Sequence, residues 1–214
     1  ATAHLGGLVC LMVFRLCFFF SLHSALAAET TSAWPAFLRG LWMDNVIGSY
    51  ILLLPLLVVL VAQLCGRGGK GLLRFLNIWM GGFYALAFAA AAANIPFYNY
   101  FNQPLNSTIW QWAAYPSQTV GMLFGEATWW KYIALWAVVT AVYAYGLFRW
   151  RRYFGHRLPA FPKNWRERGV SLALWLPIAG LCVLGARGRL GYNPIKISAA
   201  YYCDNADLNN LGLN

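Results

Sequence analysis

A chain of 214 residues that is 60% hydrophobic and only 10% charged lies far from the roughly 25% charged residues of soluble globular domains, and its mean hydropathy is +0.53. That balance excludes an ordinary water-soluble domain, and unbroken runs such as YILLLPLLVVLVAQLC exclude a β-barrel, which needs apolar and polar residues alternating in strands of about ten. The net charge of +10 would suggest nucleic acid on a soluble protein, but here the basic residues sit between apolar blocks, where they set topology and meet anionic lipid headgroups, so no nucleic-acid partner is expected.

The apolar blocks are about as long as a bilayer is thick. They predict an all-α integral membrane protein with five transmembrane helices. The first predicted span covers residues 5–28. It has a rival reading as a signal peptide, since Arg15 precedes LCFFFSLHSALAA with an Ala-x-Ala site at Ala25 to Ala27. Residues 5–14 are themselves apolar, unlike a basic leader, which favours a retained helix. Arg15 lies about 15 Å into this span at the helical rise. A charge there costs about 2.5–3.5 kcal/mol on insertion scales, so it calls for a partner, a role, or snorkelling to the surface. Asp44 offers the opposite charge, but at the outer mouth of the second span, which argues against direct contact. Removing the charge, as in Arg15→Leu, is expected to leave the helix inserted.

The second predicted span covers 45–65, preceded by the aromatic loop 29–44 with Trp34, Pro35 and Trp42. After it comes GRGGKG. This is no phosphate loop: Lys70 is followed by Gly71 rather than Ser or Thr, and Leu64 stands where the first Gly belongs. The third span covers 75–94 and ends in AFAAAAAN, a small-residue face suited to close helix packing in lipid. Loop 95–131 is dense in aromatics, among them Tyr98, Trp110, Trp112 and Tyr115. Such rings favour the headgroup level, so an interfacial segment near residues 107–115 is predicted. The fourth span covers 132–148 and the fifth 170–185. Residues 1–187 thus form a membrane domain, and 188–214 a polar closing segment.

Basic residues set the orientation. Arg67, Lys70 and Arg74 follow span two; Arg149, Arg151, Arg152, Arg157, Lys163, Arg166 and Arg168 follow span four. The other side holds Arg39, Lys131, Arg187, Arg189 and Lys196. The two basic loops and the N-terminus are therefore expected in the cytoplasm, and the closing segment outside.

Little in the chain carries chemistry of its own. HExxH and GxSxG are absent, His4, His23 and His156 are scattered, and Cys10, Cys17, Cys65, Cys182 and Cys203 show no metal-ligand spacing. No catalytic residue, metal ligand or cofactor site is expected within these residues.

The closing segment, ARGRLGYNPIKISAAYYCDNADLNNLGLN, resembles the connector between membrane and catalytic domains in the lipoteichoic acid synthase and phosphoglycerol transferase family, of the sulfatase and alkaline phosphatase superfamily. The resemblance rests on Arg187-Gly188, Pro194-Ile195, Tyr201, Asp204-Asn205, Leu208-Asn209 and Leu213-Asn214. LRGLWMDNVIGSYILLLPLL and NIPFYNYFNQPLN are also similar to that family's second and third spans. It implies a multi-pass protein of a bacterial cytoplasmic membrane, carrying an outward-facing α/β domain. There a metal-activated Thr would take a phosphoglycerol or related group from a phospholipid donor. That Thr and its divalent metal would lie beyond Asn214. Phosphoethanolamine transferases share this layout. A non-catalytic membrane component or a small transporter subunit are readings of another class.

The closing segment contains Ile195, Ile197, Tyr201, Tyr202, Leu208, Leu211 and Leu213, too many apolar side chains for a flexible linker. It is expected to pack on loop 95–131, with Trp110, Trp112 and Tyr115 as a floor and Glu126 facing Arg187 or Arg189, and to bury Tyr201, Tyr202 and Trp112.

Overall fold

A computed structural model describes residues 2–22, 31–66, 68–106, 114–115, 117–118, 121, 125, 127–154, 162 and 164–214. Five long helices dominate it: α1 (Thr2–Ser21), α2 (Trp34–Cys65), α3 (Lys70–Phe101), α4 (Ala127–Phe154) and α5 (Trp165–Arg187). All five are long and apolar enough to cross a membrane. A 3-10 turn (Ile197–Ala200) and a short helix α6 (Ala206–Leu211) follow, and no strand occurs among the described residues. The protein is an all-helical, multi-pass membrane protein.

The helix ends follow local chemistry. α2 starts with Pro35 in its first turn, where a missing N–H costs nothing. It stops at Gly66, whose N–H returns to the carbonyls of Ala62 and Gln63. α3 ends at Asn102, at φ 52°, a conformation that Asn tolerates better than most residues. α5 ends at Gly188, at φ 77°. There a side chain would be strained and would also meet Ile195, whose Cγ2 lies 2.7 Å from where a Cβ would stand.

α2 and α3 are longer than predicted. α2 begins eleven residues before residue 45, and α3 runs seven residues past 94. WPAFLRGLWMD and IPFYNYF carry too many aromatic and polar residues to read as lipid-embedded, yet the helices continue through them. The extensions are built into the packing, with Ala36 of the first and Ile95 and Tyr98 of the second buried, so stretches predicted as loop are helix.

α1 lies among α2, α3 and α4, α4 packs against α3, and α5 packs against α2. One core joins Leu11 and Phe14 to Tyr84, Phe88, Ala91, Val139 and Tyr143. A second, at the opposite end of α1, joins Phe18, Leu22, Ala36, Ile95, Tyr98 and Tyr132 to Leu211 of α6. α1 is thus an integral member of the bundle; the region around Ala25 to Ala27 lies outside the described residues. Pro55 interrupts α2 and, lacking an N–H, leaves the Ile51 carbonyl without its helical donor. The Trp79 indole of α3 donates to that carbonyl at 2.9 Å, which satisfies it without water, as a lipid environment requires.

Candidate functional site

The most developed polar site lies where the closing segment re-enters the bundle. α1 supplies Arg15, which is 0% exposed. Its Nη1 donates to Asp44 Oδ2 at 2.6 Å and its Nη2 to Asp44 Oδ1 at 3.0 Å, a two-pronged pairing across α1 and α2. Nε donates to the Leu211 carbonyl at 3.1 Å, and Nη2 also to the Asn214 main-chain oxygen at 2.5 Å. The planar guanidinium therefore binds a carboxylate on one edge and the closing segment on the other, which a lysine could not reproduce. Gly40, one turn above Asp44, makes the slot: a Cβ there would lie 2.2 Å from the guanidinium carbon.

This corrects the sequence-based expectation that Arg15 and Asp44 differ in depth. Asp44 is not at the mouth of a span that starts at residue 45. It lies ten residues inside α2, roughly 15 Å from that helix's beginning, and so level with Arg15 on the antiparallel α1. Nor does Arg15 snorkel, because its donors are engaged within the protein.

Around this pair the closing segment is held by a polar mesh. Asn94 of α3 donates through Nδ2 to Asn214 Oδ1 at 2.8 Å and accepts the Leu105 N–H at 2.6 Å. The Tyr98 hydroxyl donates to Asp207 Oδ1 at 2.6 Å and accepts from Asn210 Nδ2 at 3.2 Å. Arg39 Nη1 donates to the Ala199 carbonyl at 2.5 Å, and the Trp42 indole donates to the Gly188 carbonyl at 2.6 Å. Inside the segment, Asn209 Oδ1 accepts the Tyr202 N–H at 2.9 Å while its Nδ2 donates to the Cys203 carbonyl at 2.6 Å. Asn205 caps α6 by accepting the Leu208 N–H at 3.1 Å. The richness of this segment in Asn thus has a local cause: the amide side chains close turns that backbone alone would leave unsatisfied.

The segment is ordered and docked, and of loop 95–131 it meets the helical start, through Ile95 and Tyr98; α1 and the extended end of α2 build the rest of its seat. Trp110, Trp112 and Glu126 lie outside the described residues. Tyr201 is 52% exposed rather than buried. Tyr202 is half-buried, donates to the Ser32 carbonyl at 2.9 Å and stacks against Arg39; burial pushes its phenol up to about 12. Arg187 donates to the carbonyls of Gly191 (2.7 Å) and Tyr192, folding the start of the segment into a tight turn. Arg189 is exposed, with no ion-pair partner among the described residues.

A second polar cluster lies deeper. The Tyr84 hydroxyl meets His4 Nδ1 at 2.8 Å, and His4 Nε2 meets Asn45 Oδ1 at 3.1 Å. Nε2 is then the donor to Asn45, and Nδ1 accepts from Tyr84: a neutral imidazole with both nitrogens used. Spacing gives His4 no role, because nothing in the sequence brings positions 4, 45 and 84 together. Asn94, Gly40 and Asn210 were missed for the same reason, though an Asn closing an all-Ala stretch of a span is itself a signal of an internal partner. No group of three or more His, Cys, Asp or Glu side chains that could hold a metal occurs among the described residues.

No protein family matches the chain, and neither a curated protein nor a solved structure matches it.

Proposed function

We propose that this chain is the membrane anchor and lipid-substrate platform of an outward-facing transferase, of the lipoteichoic acid synthase type, that moves phosphoglycerol or a related phospho-headgroup. The reading rests on the resemblance of the closing segment to that family's connector. The observation that supports it most is the seating of that segment on Arg15, Asp44 and Asn94. A transferase acting on a lipid headgroup must hold its active site near the membrane surface, and a connector bonded into the bundle would fix that distance where a flexible tether would not. Catalytic Thr and divalent metal belong, on this reading, to a domain outside these residues.

The test is transfer by the full-length gene product in liposomes holding phosphatidylglycerol labelled in its headgroup. Metal-dependent release of diacylglycerol is expected; release only from phosphatidylethanolamine would move the protein to the phosphoethanolamine transferases, and release from neither would defeat the reading. Orientation is tested separately. A cysteine placed at Gly155 should be labelled from the cytoplasm alone and Cys203, once exposed by denaturant, from outside. Labelling of both from one side would overturn the five-span topology.

The transporter reading gains one observation, since ionisable groups occur in two spans, Arg15 of α1 and Asp44 of α2. Four hydrogen bonds, to Asp44 and two main-chain oxygens, hold Arg15, which suits a structural clamp better than a site that must bind and release an ion.

A further inference from the structure

Two features that the connector's seat does not use meet at Trp42. One is an open apolar groove of about 950 Å³ between α1 and α2, lined among others by Leu5, Val9, Met12, Leu16, Leu38 and Trp42. The other is the turn that leaves α5, whose Gly188 carbonyl accepts from the Trp42 indole. In that turn Leu190 is 88%, Tyr192 95% and Ile197 67% exposed, far beyond what large apolar side chains tolerate against water when clustered. Interleaved with them stand Arg189 and Lys196, both exposed and neither with a side-chain hydrogen-bond or ion-pair partner among the described residues. The turn directly follows a membrane-spanning helix, so it sits at headgroup level, with apolar side chains available to dip into the bilayer and cations level with phosphates. No acidic side chain lines the groove.

We propose that this junction holds one anionic glycerophospholipid from the leaflet on the connector side, with an acyl chain in the α1–α2 groove and its phosphate between Arg189 and Lys196. The groove alone would take any lipid tail; the two cations on the turn that Trp42 ties to the groove would select a net negative headgroup. The site names the lipid contact of the platform proposed above. It is tested by occupancy rather than turnover, so its failure leaves the transferase reading standing, and the reverse also holds.

The full chain, purified in mild detergent, is mixed with equal amounts of dioleoyl phosphatidylglycerol and dioleoyl phosphatidylcholine, and retained lipid is read by native mass spectrometry. One phosphatidylglycerol is expected to stay bound in preference to phosphatidylcholine. A surface cation contributes about fivefold, so Arg189→Gln with Lys196→Gln should cut the preference by roughly 25-fold. Val9→Trp, which fills the groove from its exposed rim, should lower retention of both lipids. Thermal unfolding checks that each variant is folded. Equal retention of the two lipids by the natural chain, or an unchanged preference in the double variant, overturns the headgroup site. Full retention in Val9→Trp overturns the groove.

Discussion

The first and last spans are close in length and apolarity and opposite in surroundings. α1 has 20 residues and a mean hydropathy of 1.9 over its most apolar window; α5 has 23 and 2.0. Yet 33% of the first window is buried in the protein and only 6% of the second. In water the more buried helix would be the more apolar one. In lipid that rule fails, because hydrocarbon solvates Leu as well as another helix does, and association depends on close packing and polar contacts. α1 carries Arg15 and His4, which need partners, and Gly7, against which the Tyr84 ring lies. α5 meets α2 at Gly185, set against Ser49, with the Cys182 thiol reaching the Ser49 carbonyl at 3.5 Å and Ser171 Oγ donating to Gln63 Oε1 at 3.0 Å. Its remaining apolar surface faces outward.

The comparison can be broken most forcefully at Arg15. Arg15→Leu leaves Asp44 buried without its counter-charge and two main-chain oxygens without donors, and should cost about 3–5 kcal/mol. The helix should still insert, but Cys203, half-buried in the natural fold, should become readily labelled by maleimide. Combining Arg15→Leu with Asp44→Leu should recover part of the loss, since the stranded charge is gone. A single variant as stable as the natural chain would show that the pair is not what makes α1 central.

Phe14→Ala sharpens the packing side of the contrast. Its ring is fully buried and lies 5.8 Å from Phe88. The loss should fall below the about 3–5 kcal/mol of aqueous cores, because the released surface meets lipid rather than water; thermal unfolding in detergent reads it.

At α5 the same chemical change should act in opposite directions on one helix. At Gly185 an added Cβ would come within 2.4 Å of Ser49 Oγ, whereas at Gly180 it meets nothing within 4 Å. Gly185→Ala should destabilise the α2–α5 contact by about 1–3 kcal/mol, seen as lost cross-linking between cysteines placed on the two helices. Gly180→Ala should stabilise slightly, by about 0.4–1 kcal/mol. The smallest effect is expected at Leu181, 68% exposed: Leu181→Ala should stay within about 0.5 kcal/mol. A larger loss there would mean that α5 packs on something other than lipid.

What the sequence by itself determined is the class of the molecule: five spans, from the length and purity of the apolar runs, and the existence of a demand at Arg15, because a charge in a span must be answered wherever its partner lies. It also showed that residues 188–214 are too apolar to be a tether. Composition and spacing suffice for these because each is a property of one segment against its solvent. The answer to the demand belongs to the tertiary structure alone. Asp44 looked too shallow because hydropathy ends the second span where polar residues begin, while the α-helix itself continues for eleven residues more through WPAFLRGLWMD. Only the antiparallel packing of α1 on that extension sets Arg15 beside Asp44, and only the return of α6 brings the Leu211 and Asn214 oxygens within its reach. Burial was equally hidden: bilayer and protein interior are both apolar, so no hydropathy scale separates α1 from α5, and the difference comes from which side chains need a neighbour and which need only oil.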